Sequence, residues 1–261
     1  LIQLEHKFYL WIFKNDPELA RLLGCQLYNK CKAAPGVSWK TKGGRMSGDF
    51  NTALGNSVVN VLILLAWGIQ RGYDQDPSFC LQVDGDDSWA VTPSNDSPAR
   101  ADEFLRYGMT TKLEGLSVEP EGVGFCQAKP VLLEDGWMMC RDYRRVLSRI
   151  PYTVQKYPDH LWPRYAKGVA ECEAALGRGV PVLHAVQAGL LAETATVKKA
   201  IVPKAEAFAY AYALSNPRKE AQISEAARVS YAIAWGISPS EQRELEAILE
   251  GHRWMSDRDG A

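Results

Sequence analysis

The chain has 261 residues, 46% of them apolar and 23% charged, with a formal net charge of −1. That balance excludes a disordered chain and leaves room for one large domain or two modest ones. It also excludes a uniformly basic nucleic-acid surface. Only local clusters remain for an anionic partner: Lys40, Lys42 and Arg45, then Arg141, Arg144, Arg145 and Arg149. Each reads equally well as a solvated face.

Residues 1–13 carry apolar side chains at 1, 4, 8, 11 and 12, a helical spacing. Within that segment Glu5 and His6 are neighbours, a pair able to contact the main fold. Asp16-Pro17 starts a second short helix through Leu23. Residues 25–46, with Gly36, Gly43, Gly44 and several lysines, read as strand and loop. Asn51 to Arg71 reads as a helix apolar on much of its circumference, stopped by Gly72. Phe79 to Thr92 reads as a hairpin: Phe79, Leu81 and Val83 alternate with polar residues along the incoming strand, Trp89 and Val91 do so along the outgoing one, and Asp84-Gly85-Asp86-Asp87 turns between them. Ser97-Pro98 opens another helix ending near Gly108, and 109–113 suits a short strand. A second hairpin runs from Phe125 to Leu133, turns at Asp135-Gly136, and returns through Trp137 to Arg141. Beyond Tyr157 helical patterns take over, at 159–176, 181–192, 198–214, 222–235 and 239–250. Disorder is expected only in the tail Asp257-Arg258-Asp259-Gly260-Ala261.

The six cysteines (25, 31, 80, 126, 140, 172) form no CxxC pair, so no zinc site is expected. Cys80, inside Phe79-Cys80-Leu81, suggests buried free thiols in a reducing compartment. The four histidines are scattered without ligand spacing. The longest apolar stretch, Val58 to Ile69, is interrupted by Asn60 and falls short of the roughly 18 residues of a membrane span. No signal peptide is expected from these residues, and the opening Leu1-Ile2-Gln3-Leu4 reads as a start inside a longer protein. Neither GxxxxGK[ST] nor GxGxxG occurs.

Two segments carry candidate chemistry. Asp86-Asp87 at a hairpin tip presents adjacent hard-oxygen ligands of the kind that hold Mg²⁺, with Gly85 leaving room for an ion or a primer end. Asp and Gly are also simply good turn residues. Ser47-Gly48-Asp49-Phe50-Asn51-Thr52-Ala53-Leu54-Gly55-Asn56 is a polar entry to the long apolar helix. Thr52 and Asn56, four apart, share a face on which a hydroxyl and a carboxamide suit a ribose 2′-hydroxyl. Helix capping explains Asp49 or Asn51 but not Asn56.

The string from Arg45 to Asn56 resembles motif B (SGxxxTxxxN) of the positive-strand RNA virus polymerases, the tombusvirus-like group above all. Asp84-Gly85-Asp86-Asp87 resembles their motif C. Gly108-Met109-Thr110-Thr111-Lys112-Leu113-Glu114-Gly115 resembles the motif D region, and Phe125-Cys126-Gln127 with Pro130-Val131 resembles motif E. Gln26-Leu27-Tyr28-Asn29-Lys30, Ala226 to Tyr231 and Trp235-Gly236-Ile237-Ser238-Pro239 extend the likeness over nearly the whole chain.

The resemblance implies an α+β right-hand polymerase fold: an antiparallel palm sheet with packed helices, then a helical thumb. Residues 1–46 would be the end of a palm helix and a fingers segment, 47–157 the palm with motifs B to E, and 158–261 the thumb. The implied activity is RNA-directed RNA synthesis from ribonucleoside triphosphates on an RNA template, with Mg²⁺ or Mn²⁺. Asp86 would be the main metal ligand and Asp87 a secondary one. Arg45, Ser47, Gly48, Thr52 and Asn56 would face nucleotide or template. Lys112 would be the proton donor to pyrophosphate, or else an exposed structural lysine. Phe125, Cys126 and Gln127 would support the nascent strand, with core packing the stronger reading for Phe125. The family's motif A, an Asp followed about five residues later by another, is expected just before Leu1. An isolated fragment without it is expected to be inactive. Replication proteins, host membranes reached through other segments, and a membrane-associated complex in the host cytoplasm are the implied partners and place. The alternatives are a non-catalytic RNA-binding or interaction remnant of such a polymerase, a reverse transcriptase, and an unrelated α/β protein with a chance GDD. Asn56 and Gly85 favour an RNA product over the second of these.

Overall fold

The computed structural model describes residues 1–34, 36–93, 96–150, 152, 153, 155–204, 207–215 and 222–254. The tail at 257–261 lies outside these residues. The chain divides into two units, Leu1–Gly115 and Leu116–Ala261. Helices dominate, and the described strands form three separate two-stranded antiparallel sheets, so the class is α+β.

The first unit is built on α3 (Thr52–Arg71), which ends where Gly72 takes a left-handed φ of 74°. Its buried stripe, Gly55, Ile63, Leu64, Trp67 and Gly68, follows helical spacing. Ile63, Leu64 and Trp67 pack with Tyr73 and Phe104, flanked by Phe79, Leu81 and Val83. Gly68 is required by close approach: a Cβ there would lie 2.6 Å from Cζ of Phe79. By length and composition α3 is also apolar enough to cross a membrane, and Leu54, Leu65 and Ile69 are exposed on it.

Before α3 come α1 (Ile2–Ile12), α2 (Pro17–Cys25) and the ribbon of β1 (Tyr28–Lys32) and β2 (Ser38–Lys42). Asp16 caps α2, accepting from the Leu19 N–H at 2.8 Å. The face of α1 that is buried is Glu5, His6 and Tyr9 rather than the apolar stripe, of which Leu1, Leu4, Trp11 and Ile12 are exposed. The ion pair described below pulls the polar side inward. After α3, β3 (Cys80–Asp84) and β4 (Asp87–Val91) form the expected hairpin. Leu81 and Val83 face inward while Cys80, Gln82 and Asp84 face out. Cys80 is therefore exposed, against expectation, because the two-residue period puts it on the solvent face. Cys140 is the one buried cysteine among the described residues. The element expected from Ser97 is a 3₁₀ helix, Ala101–Tyr107, at whose start the Glu103 carboxylate accepts from the Arg100 N–H at 3.2 Å. Residues 109–113 form no strand, since no described strand lies alongside to pair with them.

The second unit joins the hairpin of β5 (Ala128–Leu133) and β6 (Gly136–Arg141) to six described α-helices. These are α4 (Tyr143–Arg149), α5 (Trp162–Gly177), α6 (Leu183–Glu193), α7 (Ala207–Ser215), α8 (Glu225–Trp235) and α9 (Pro239–Glu250). Its core runs through Val131, Leu133, Cys140, Val146, Val182, Leu183, Val186, Tyr231 and Ala234. β5 packs on α8: Ser230 Oγ accepts from the Leu132 N–H at 2.8 Å and donates to the buried Glu121 at 2.7 Å. The hairpin at 128–141 thus shares a core with the helices that follow.

Candidate active site

The β3–β4 turn is two residues long. Asp84 pairs with Asp87, leaving Gly85 and Asp86 at the tip. Gly85 has φ +64°, the positive first-position angle that a type II′ turn assigns to glycine. Asp86 and Asp87 are both exposed. The tip is tied to α3. The Gly85 N–H donates to Ser57 Oγ at 2.8 Å, and Asn60 Nδ2 donates to the carbonyls of Gly85 at 3.3 Å and Asp86 at 3.2 Å. Ser57 in turn donates to Ala53 O at 2.9 Å. Motif spacing points to neither Ser57 nor Asn60; the one signal for them is a polar residue interrupting an apolar helix. Asn56 lies one residue before Ser57 and one helical turn before Asn60, so the acidic tip and the entry of α3 belong to one neighbourhood. Among the described residues the Asn56 side chain has no hydrogen-bond partner, and it is half-buried.

The loop before α3 is closed on itself. Met46 N donates to Asp49 Oδ2 at 3.2 Å, Asp49 N to Met46 O at 3.0 Å, and Thr52 Oγ1 to the carbonyls of Asp49 and Met46 at 2.7 and 3.0 Å. Thr52 therefore commits its proton to the loop. Ser47 and Gly48 stand exposed between these bonds. Asn51 occupies the N-cap position without capping: its carboxamide donates to Glu5 at 2.9 Å and accepts from Gln26 Nε2 at 2.7 Å. Arg45, expected to face nucleotide or template, instead directs its guanidinium to the fully buried Glu5 and is itself 12% exposed. His6 completes this network through Gln26 Oε1 at 3.3 Å.

Lys112 is exposed and pairs with Glu114 at 3.2 Å in a segment without regular secondary structure. In the second unit Phe125 and Ala128 exchange backbone hydrogen bonds of 2.9 and 3.0 Å. The two residues between them, Cys126 and Gln127, both have positive φ, 50° and 63°. This is the pattern of a type I′ turn, which ordinarily takes Asn or Gly. Cys126 and Gln127 are exposed, and Phe125 is half-buried rather than in the core. Of the second basic cluster, Arg141 is held by Glu173 in two bonds of 3.2 and 2.6 Å, and Arg144 donates to Trp235 O at 3.2 Å.

Among the described residues no group of three or more His, Cys, Asp or Glu side chains converges. The donor set at the tip is two neighbouring carboxylates. That fits a hard cation sharing its shell with water and phosphate oxygens, and does not fit a cage made by protein alone.

The family described as "Viral RNA dependent RNA polymerase" matches residues 2–256. Among curated relatives, the RNA-directed RNA polymerase of Turnip crinkle virus is 31% identical over 99% of this chain and 34% of its own length. That of Melon necrotic spot virus is 30% identical over 96% and 33%, and that of Cymbidium ringspot virus 29% identical over 99% and 32%. The chain spans about a third of the length of these relatives. A match over nearly every residue, together with an acidic hairpin tip fastened to the helix that opens SGDFNTALGN, establishes that this chain belongs to the viral RNA-dependent RNA polymerase family.

Proposed function

We propose that the chain supplies the palm and thumb of an RNA-directed RNA polymerase that adds ribonucleotides to the 3′-hydroxyl of a nascent RNA. One observation carries the reading: the Gly85-Asp86 tip is bonded to Ser57 and Asn60, within a turn of Asn56. In this reading residues 1–46 complete a palm helix and part of the fingers, 47–157 carry the catalytic motifs, and 158–261 form the thumb.

Asp86 and Asp87 are the residues that hold Mg²⁺ or Mn²⁺. When bound, such ions stabilise charge on the attacking and leaving oxygens of the phosphoryl displacement. Asn56, whose carboxamide has both a donor and an acceptor to offer, reads the ribose 2′-hydroxyl. Thr52 shapes the loop, leaving only lone pairs for the sugar. Ser47 and Gly48 meet the templating nucleotide on the exposed rim of that loop. Lys112, once released from Glu114, protonates pyrophosphate. Phe125, Cys126 and Gln127 steady the nascent strand. Work in a membrane-associated complex of the host cytoplasm, beside other replication proteins, rests on the family likeness alone. The test is Asp86→Ala in the complete protein carrying this sequence, with template-directed incorporation of labelled ribonucleotides as readout. Loss of incorporation is expected, and undiminished synthesis overturns the reading.

A further inference from the structure

We propose that one face of the β1–β2 ribbon is a docking strip for the phosphate backbone of single-stranded RNA, a role that rests on the polymerase reading above. Cross-strand partners in an antiparallel pair point to the same side. The register Tyr28↔Lys42, Lys30↔Lys40 and Lys32↔Ser38 therefore gathers four lysines on a single face, every one of them exposed. Among the described residues none of the four has a carboxylate partner; Lys42 alone has a neighbour, the Tyr28 ring, at 5.6 Å from its centroid. Like charges placed directly opposite, as Lys30 and Lys40 are, destabilise a two-stranded ribbon. The fold holds this arrangement where an anion would relieve it.

The other face is anchored. Asn29 Nδ2 donates to Gly44 O at 3.1 Å and to Gln26 O at 3.2 Å, and Cys31 Sγ lies 4.0 Å from Met46 Sδ. The lysine strip is thus fastened from behind to the segment that leads into Ser47 and Gly48. Successive lysines on one strand are about 6.7 Å apart from the strand rise alone, the scale of successive phosphates along a nucleic-acid strand. An anionic lipid surface fits less well: interfacial elements combine basic residues with a large apolar face, whereas Tyr28 is the one large apolar side chain on the lysine face and the exposed Trp39 points to the opposite side.

The experiment measures binding of a fluorescent single-stranded RNA to this chain across a potassium chloride series. Replacing Lys30, Lys32, Lys40 and Lys42 by Ala is expected to flatten the plot of log affinity against log salt by about 0.7 for each phosphate that the variant no longer neutralises. A control replacing the exposed Lys7, Lys14, Lys198 and Lys199 by Ala, with the same change in charge, is expected to keep the wild-type slope. Lys30→Glu separates binding from folding: facing Lys40, it is expected to raise Tm at low salt while weakening RNA binding. The loss of slope caused by the four ribbon substitutions is expected to be the same in an Asp86→Ala background as in the wild type, so a failure of the catalytic reading leaves this result intact. An unchanged slope in the ribbon variant overturns the proposal, as does ribbon-dependent binding to phosphatidylserine vesicles that exceeds binding to RNA.

Discussion

Glu5 is fully buried and faces Gly55, the position on α3 whose missing side chain leaves space for the Glu5 carboxylate and the Arg45 guanidinium together. A Cβ at 55 would come within 2.5 Å of Arg45 Nη2 and closer still to Glu5. Gly55→Ala is therefore expected to lower stability, and Glu5→Ala to cost more, about 3–5 kcal/mol, because it strands a largely buried guanidinium. Denaturant unfolding measures both. Hydrogen exchange at Met46, Asp49 and Thr52 should accelerate in each variant, since the same network holds Asn51 at the end of their loop.

Asn60→Ala removes two hydrogen bonds to the acidic tip. The expected stability loss is modest, about 1 kcal/mol, because the site is partly open to water. The expected fall in ribonucleotide incorporation is larger than that loss explains. Equal, small changes in stability and rate would show that the tip does not depend on this clamp.

Cys126 and Gln127 occupy left-handed conformations that cost non-glycine residues about 1 kcal/mol or more each. Cys126→Asn combined with Gln127→Gly should raise Tm. If the turn steadies the nascent strand, the same pair of substitutions weakens affinity for primed RNA. A falling Tm would show that neighbouring contacts outweigh the turn strain.

Glu103 supplies a pH dependence. The Arg71 guanidinium, and secondarily the Trp67 N–H, hold its carboxyl at about 2, against an ordinary value of 4.5. A depressed folded-state pKa stabilises the fold above the unfolded value and loses that contribution as pH falls through the folded one. Stability of the first unit should therefore drop between about pH 4.5 and pH 2, and Glu103→Gln should flatten that part of the profile in chemical-denaturation measurements.

Periodicity makes α3, the β3–β4 hairpin and the C-terminal helices α8 and α9 legible, because each buries a face set by residues close in sequence. Ser224 and Ser238 mark the starts of α8 and α9 for the same reason: their side chains cap N–H groups three residues on. α4 is hard to read, being seven residues long and mostly charged or exposed, although Asp142 is a legible cap. At the site, motif spacing is enough to name the Asp86-Asp87 tip and the entry of α3. It does not reveal Arg45 turning inward to Glu5, an interaction spanning 40 residues of chain. The grip of Ser57 and Asn60 on the tip likewise depends on contacts 25 to 28 residues apart, which neither helical nor strand periodicity encodes.

α3 works as a ruler. Thr52 and Asn56 at one end and Ser57 and Asn60 farther along are graduations on a single rod, with the acidic turn hooked to its later marks. A helix rises about 1.5 Å per residue whatever its surroundings do. When the rod slides or tilts, the early marks and the hooked acidic turn travel together, so their spacing survives displacements that would blur a site assembled from independent loops.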